Sequence, residues 1–238
     1  YFGGVTIEWQ HAIVDTIVEA QKNLPNKHLI SMNIANGSKK IEKPHPAVSV
    51  FNFHYASPPA AVAENYHLSK VIGDNETGFK GTADDHYRME AWEFILAGGA
   101  LYNNLDYSFT VGHEDGTFQY PDKQPGGGNR GFRRQMKVLK DFIHGFDFVR
   151  MKPARSIVKN ARDRVQMLAE VGKQYAGYFK LKQSIPLKVE LPAGKYQVTW
   201  LDAVSGEQVR SFALSHSGGE ATIEMPREVR EYALAIRK

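Results

Sequence analysis

Short apolar runs and helical patterns alternate through the first half of the chain. Val5, Trp9, Ile13 and Ile17 stand four positions apart, which predicts an amphipathic helix that Pro25 ends. Four strand-like runs follow, with three helical patterns among them and a further helix after them; the runs cover residues 28–34, 48–55, 71–73 and 99–106. Alternation of this kind predicts a parallel sheet with helices outside it.

The pattern changes near Val165, where the apolar stretches become short and closely spaced. Turns rich in Gly, Pro and Ser separate the predicted strands, which cover residues 165–180, 187–191, 196–201, 208–214, 221–225 and 232–236. Regular spacing of this kind predicts an antiparallel β-sandwich. We therefore expect two domains, residues 1–155 and residues 156–238.

The composition is that of an ordinary folded protein. Of the 238 residues, 42% are hydrophobic and 24% are charged. The chain has no run of about 20 apolar residues, so no membrane span is predicted. The chain has no cysteine, which excludes disulfide bonds and thiol catalysis.

Several polar clusters are explained by helix structure without any ligand. The net charge is +4, and the densest basic cluster lies on a helical pattern and comprises Arg130, Arg133, Arg134, Lys137 and Lys140. We interpret it as a solvated helix face and predict no nucleic-acid partner, because no basic loop carries interleaved aromatic residues. Asp84 and Asp85 suit the first turn of a helix, so no metal site is predicted there. No glycine-rich loop has phosphate-binding spacing, which predicts no nucleotide cofactor.

Residues 71–79 carry the strongest functional signal. The apolar run that begins at Val71 ends in a carboxylate, Glu76, and Thr77 and Gly78 then turn the chain. In a barrel of alternating strands and helices, residues at the C-terminal ends of strands face the active site. A glutamate there is a candidate nucleophile or acid/base group. The alternative interpretation is a strand-end carboxylate that caps a turn.

Three segments resemble a known family: residues 52–56, 74–79 and 92–102, with the sequences NFHYA, DNETGF and WEFILAGGALY. They are similar to the second half of a clan A glycoside hydrolase, a (β/α)8 barrel related to family five cellulases. The resemblance extends to bacterial cellulase-like proteins with a terminal domain assigned to collagen binding. It implies half of a (β/α)8 TIM barrel, an α/β unit, followed by an all-β antiparallel sandwich, in a secreted or periplasmic protein.

The resemblance implies hydrolysis of a β-linked glycoside or polysaccharide without a cofactor. In the family, strand seven carries the nucleophile, and this role falls on Glu76. The resemblance implies that His54 and Tyr55 orient it or contact the sugar. By their positions at strand ends and on the long loop, the further candidate substrate contacts are Asn75, Asn103, His113 and Glu114. The last two lie on the long loop of residues 110–129, where a solvated loop position is the alternative. Tyr196 and Trp200 are expected in the core of the sandwich, with sugar stacking as the alternative.

The second catalytic carboxyl group has no counterpart in the matching segments. In the family, the acid/base glutamate follows an asparagine at the end of strand four. This chain enters a helix directly after Tyr1-Phe2-Gly3-Gly4, so strands one to four and that glutamate are expected outside it. Two partners would complete the barrel: a second copy of the chain, in a homodimer, or a missing N-terminal half-barrel. The alternative function is a non-catalytic carbohydrate-binding or structural remnant, and collagen binding is a third hypothesis.

Overall fold

A parallel sheet with flanking helices comes first in the chain, and antiparallel sheets follow. The computed structural model describes residues 5–121, 127–161, 164–228 and 230–238, so the first four residues lie outside it. The α-helices are α1 (Ile7–Ala20), α2 (Ala60–Asn65), α3 (Asp84–Leu96) and α4 (Arg130–His144), and short 3-10 helices cover Tyr66–Leu68, Phe148–Arg150 and Arg155–Ile157. None of the described helices is long and apolar enough to cross a membrane.

The predicted parallel sheet is confirmed, and it has four strands in the order β1-β2-β3-β4. The strands are β1 (Ile30–Asn36), β2 (Val48–His54), β3 (Val71–Glu76) and β4 (Leu101–Tyr102). The prediction of three helices among the strands was wrong, because residues 37–47 between β1 and β2 form a loop. That segment has no apolar periodicity, and only Ile41 is buried in it. The last strand is also shorter than its predicted range of 99–106.

One face of the parallel sheet packs against the helices. Phe51, Phe53 and Ile72 are buried there with Ala61 and Val62 of α2, and Val14 of α1 and Phe94 of α3 complete the cluster. These positions follow the alternation expected of a strand with one face in the core. The opposite face carries the polar side chains that form the candidate site.

The second part of the chain forms a six-stranded antiparallel sheet and a two-stranded one. The orders are β10-β9-β12-β7-β6-β5 and β11-β8. The strands are β5 (Lys152–Pro153), β6 (Val165–Glu170), β7 (Gln174–Lys180), β8 (Leu187–Leu191), β9 (Gly194–Asp202), β10 (Gln208–His216), β11 (Gly219–Ile223) and β12 (Glu231–Arg237). Both sheets contribute side chains to one hydrophobic cluster. Tyr196 and Trp200 are buried in it, so they belong to the core and do not form an exposed stacking surface.

Helices α3 and α4 cover the other face of the six-stranded sheet. Trp92 of α3 stacks on Tyr178 of β7, with 5.5 Å between ring centroids and 15° between the planes. Leu139, Phe142 and Ile143 of α4 join the same cluster. The helices therefore connect the parallel sheet to the antiparallel region, and the partition into domains at residue 155 stays a prediction.

Candidate active site

Glu76 ends β3 at the edge of the parallel sheet where β2 also ends. The two strands pair in parallel, but the register slips after Phe53, so His54 lies opposite Glu76 and Asn75 is the extra residue. An extra residue in one strand turns the following side chain to the other face. As a result the Glu76 side chain is 33% exposed, whereas Asp74 is buried.

Two side chains from the end of β2 orient the Glu76 carboxylate. The Tyr55 hydroxyl donates a hydrogen bond to Oε1, and His54 Nδ1 lies 3.4 Å from Oε2. The structure thus brings together three of the residues that the sequence analysis selected. A carboxylate that is oriented in this way and still accessible can act as a nucleophile or as a proton carrier.

Two residues beside Glu76 have a strained backbone. Tyr55 and Phe79 have φ angles of 56° and 64°, in the left-handed region that residues with a side chain seldom occupy. Their ring centroids are 5.6 Å apart, and Phe79 is largely exposed. The Tyr55 backbone N–H donates to the Glu76 carbonyl oxygen over 2.8 Å, which ties the turn after β2 to the end of β3. Strain of this kind persists only where the surrounding structure holds it.

Asp74 is a buried carboxylate that the sequence analysis did not assign. Only 1% of the residue is exposed, and Oδ2 accepts a hydrogen bond of 3.1 Å from the Ala56 backbone N–H. Burial raises the pKa of Asp74 to about 7, the Ala56 N–H opposes that shift, and the Glu90 carboxylate adds to it. In the sequence, Asp74 and Glu76 are two acidic residues at the end of one apolar run. Only the register slip distinguishes them, and no sequence signal marks it.

Asn75 and Asn103 meet across the ends of β3 and β4. The Asn103 side-chain amide donates to the Asn75 carbonyl oxygen over 3.1 Å. Asn75 Oδ1 is buried and has no hydrogen-bond partner among the residues that the structure describes. A buried polar atom without a partner needs an explanation, and a bound substrate would supply one. The substrate-binding role of both residues stays a prediction.

His113 and Glu114 make their contacts within their own loop. His113 Nδ1 lies 3.2 Å from Thr117 Oγ1, and its ring centroid is 5.3 Å from that of Phe118. Glu114 Oε1 accepts a hydrogen bond of 3.0 Å from the Gly112 N–H, and the side chain is exposed. These contacts account for both residues without a substrate, so their predicted role is untested. Residues 122–126 of the same loop lie outside the described ranges.

The geometry around Glu76 provides one accessible carboxylate, with a phenol and an imidazole as its side-chain neighbours. Asp74 is too buried to serve as the second catalytic group, since it faces the Ala56 backbone and Glu90. Across the four described ranges, no group of three or more His, Cys, Asp or Glu side chains could hold a metal ion.

Solved structures of glycoside hydrolases share this fold. One glycoside hydrolase aligns with 99% of this chain and 70% of its own length, at 14% identity and a TM-score of 0.65. A family 5 glycoside hydrolase from Bacteroides vulgatus aligns over 99% and 61%, at 14% identity and a TM-score of 0.63. A family 30 subfamily 8 xylanase from Clostridium acetobutylicum aligns over 95% and 60%, at 13% identity and a TM-score of 0.52. No protein-family model matches the chain, and no curated protein does.

These comparisons concern the fold, because the sequence identities are so low. The chain spans less than two thirds of the family 5 and family 30 structures. Its fold therefore matches part of the fold of these glycoside hydrolases, and the predicted likeness is confirmed for the fold alone. The sandwich and the collagen-binding assignment stay predictions.

Proposed function

We propose that this chain carries the nucleophile of a glycoside hydrolase that acts on a β-linked glycoside or polysaccharide, and that Glu76 is this nucleophile. The observation that carries the proposal is an accessible carboxylate at the C-terminal end of a parallel strand, oriented by Tyr55 and His54. Catalytic side chains of (β/α)8 enzymes stand at this edge of the sheet. The fold shared with family 5 and family 30 glycoside hydrolases supports the same conclusion.

In the proposed reaction, a Glu76 oxygen attacks the anomeric carbon while the glycosidic oxygen leaves with a proton from an acid group. Water then hydrolyses the glycosyl ester, and the acid group takes a proton back as the base. The hydrogen bond from Tyr55 keeps the carboxylate aimed at the sugar. Such a reaction needs a second carboxyl group about 5 to 5.5 Å from the first. We place that group on a partner that completes the barrel.

Apolar surface at both edges of the parallel sheet supports such a partner. Along α1 and just before it, the stripe of Val5, Trp9, Ile13 and Ile17 is between 40% and 59% exposed. At the other edge, a groove of about 850 Å³ lies between α3, β4 and α4, with walls that include Ile95, Phe132, Met136, Leu139 and Ile143. Open strand edges and contiguous apolar patches are typical of interaction surfaces.

The number of helices favours an N-terminal half-barrel over a second copy of this chain. In a (β/α)8 barrel each strand is followed by one helix, so one helix covers each junction between strands. This chain has a helix before its first strand, α1, and another after its last strand, α4. In a closed homodimer, β4 of one copy would pair with β1 of the second copy. The α4 helix of the first copy and the α1 helix of the second copy would then occupy the same position outside that pair of strands. A partner of four strands with helices only between them leaves room for both.

Covalent labelling tests the role of Glu76. A 2-deoxy-2-fluoro glycoside with a dinitrophenyl leaving group needs little acid assistance, so Glu76 alone should form a stable ester. Mass spectrometry should locate the added mass on the peptide that contains Glu76. Glu76→Gln should abolish labelling, and the exposed Glu64→Gln should leave it unchanged. Labelling that persists in Glu76→Gln would rule out the assignment.

The non-catalytic alternative gives a different result in the same experiment. A carbohydrate-binding remnant would bind a cello- or xylo-oligosaccharide in calorimetry, and Glu76 would stay unlabelled. It would also fail to release nitrophenol from aryl glycosides at every pH tested. Slow turnover of the aryl glycoside that Glu76→Gln abolishes would support the enzyme instead.

A further inference from the structure

The turn after β2 is fastened to β3 by three hydrogen bonds, and one of them ends on Asp74. The Tyr55 backbone N–H donates to the Glu76 carbonyl oxygen over 2.8 Å, and the Tyr55 hydroxyl donates to the Glu76 carboxylate. The next N–H along the chain, that of Ala56, donates to Asp74 Oδ2 over 3.1 Å. Tyr55 has a left-handed backbone, so its conformation depends on these bonds.

We propose that Asp74 is a positioning residue: its buried carboxylate holds Ala56 and thereby keeps the Tyr55 hydroxyl on Glu76. The catalytic meaning of this contact rests on the proposed function of Glu76. The positional claim itself concerns only the geometry of Tyr55 and can be tested without any turnover. Asp74 touches no substrate in this account and acts through the turn alone.

The surroundings of Asp74 explain why a carboxylate at this point responds to pH. Glu90 faces it from α3, and the Glu90 carboxylate is itself 2.9 Å from His86 Nε2. The Tyr102 hydroxyl on β4 is close enough to interact with both Asp74 and Glu90. Asp74 Oδ1 has no hydrogen-bond partner in the part of the chain that the structure describes. Burial is the largest influence on this carboxyl and outweighs the backbone N–H groups of Ala56, Glu76 and Tyr55, so its pKa rises to about 7.

The two protonation states of Asp74 should hold the turn with different strength. A hydrogen bond to an ionised oxygen is roughly twice as strong as one to a neutral oxygen. When Asp74 is ionised, the Ala56 N–H is held firmly and Tyr55 stays on Glu76. When Asp74 gains a proton, that bond weakens and the strained turn is freer to relax. The contact between Tyr55 and Glu76 should therefore tighten as the pH rises through about 7.

Tyrosine NMR on the full chain tests this inference directly. In protein labelled with ¹³C at tyrosine Cζ, the Tyr55 signal is assigned by its loss in Tyr55→Phe. Glu76→Ala gives the signal of a hydroxyl without its acceptor. Asp74→Ala should move the Tyr55 signal most of the way to that value. Asp74→Asn keeps a neutral acceptor for the Ala56 N–H, and its Tyr55 signal should stay near the position that the wild-type signal has below pH 7.

The pH dependence of the Tyr55 signal shows whether the ionised Asp74 carboxylate positions Tyr55 or whether the Asp74 side chain only fills space. The wild-type Tyr55 signal should show a step near pH 7, and Asp74→Asn should lack it. Both proteins keep His54 and His86, so any imidazole contribution is common to the two curves. This comparison holds even if Asp74→Ala fails to fold. A wild-type Tyr55 position in folded Asp74→Ala, or the same step in Asp74→Asn, would overturn the inference.

Labelling with the fluoro glycoside distinguishes this inference from the proposed function. If Glu76 is the nucleophile, Asp74→Ala should label several-fold more slowly than wild type. Asp74→Asn should label at a rate that varies less with pH between 6 and 8. Absence of labelling in wild type would remove the enzymatic role of Glu76, and the NMR result would still decide the role of Asp74.

Discussion

Arg88 and Glu231 form a buried ion pair that joins α3 to β12, and loss of either partner should destabilise the protein strongly. Arg88 Nη2 and Nε donate to the two carboxylate oxygens over 2.8 and 2.9 Å, and both side chains are 7% exposed. Tyr178 and Lys180 bond the same carboxylate over 3.0 and 3.1 Å. Breaking a buried pair from one side leaves an uncompensated charge and costs about 3–5 kcal/mol. We expect a loss of this size in the free energy of unfolding for Arg88→Met and for Glu231→Gln.

The sign of the pH dependence follows from the environment of Glu231. Burial alone would raise the pKa of this carboxyl, but Arg88 and Lys180 outweigh it and hold the pKa below the ordinary value of 4.5. The stabilisation is therefore fully present above pH 4.5 and is lost as the pH falls through the lower pKa of the folded state. Arg88→Met should cost most near neutral pH and least in acid.

Equilibrium unfolding in urea, followed by tryptophan fluorescence, measures these losses. The exposed pair of Lys188 and Glu220, 3.0 Å apart, supplies the control. Lys188→Met should cost less than about 1 kcal/mol. Arg88→Met combined with Glu231→Leu should recover part of the single-variant loss, because it removes both buried charges and leaves only the more exposed Lys180 without its ion-pair partner. The reasoning would be refuted if Arg88→Met and Glu231→Gln lowered the free energy of unfolding no more than Lys188→Met does. Separate unfolding transitions for the two parts of the wild-type chain would also refute it.

Three further outcomes are expected. Gly73→Ala should cost about 1–3 kcal/mol in urea unfolding, because a Cβ there would lie 2.3 Å from Asn52 Oδ1, and added Asn52→Ala should relieve part of the loss. The wild-type melting temperature should fall as the pH rises from about 4 to about 7. In this range Asp74 keeps its proton in the folded state, because its pKa is raised there, but loses it in the unfolded state. Asp74→Asn should lack this fall. Sedimentation of the purified chain at micromolar concentration should show no closed homodimer; a stable dimer that Trp9→Lys dissociates would contradict the helix count.

The sequence patterns predict the parallel sheet and the position of Glu76 because both depend on local periodicity. Apolar runs of strand length ending in polar residues determine where β2 and β3 end, and the topology then places those ends together. Glu76 could be selected for this reason, whereas the roles predicted for His54 and Tyr55 came from the family resemblance of residues 52–56. Boundaries were less predictable, as in β4, which pairs through only Leu101 and Tyr102. The length of a short strand depends on its neighbours more than on its own residues.

The register slip and the packing of α3 could not be predicted because they are tertiary features. Strict alternation would place Asp74 and Glu76 on one face, and only the pairing of His54 with Glu76 shows that they differ. The sequence of α3 likewise shows no clean apolar stripe, since it buries Arg88 and Glu93 along with its aromatic residues. Those two charges have partners far away in the chain, Glu231 and Arg164. Pattern analysis treats such residues as solvated and therefore misses the contact between the two parts.

The position of α3 gives the antiparallel region a structural role in the candidate site. On one side the helix is held by Arg88 and by the stacking of Trp92 on Tyr178. On the side of Glu76, the Tyr87 hydroxyl accepts the Lys80 N–H over 3.0 Å and so supports the loop that follows β3. A helix held by the antiparallel sheet thus holds the segment directly after the Glu76 carboxylate. The antiparallel region therefore supports the candidate site through packing, and its Trp200 is buried in its own hydrophobic core.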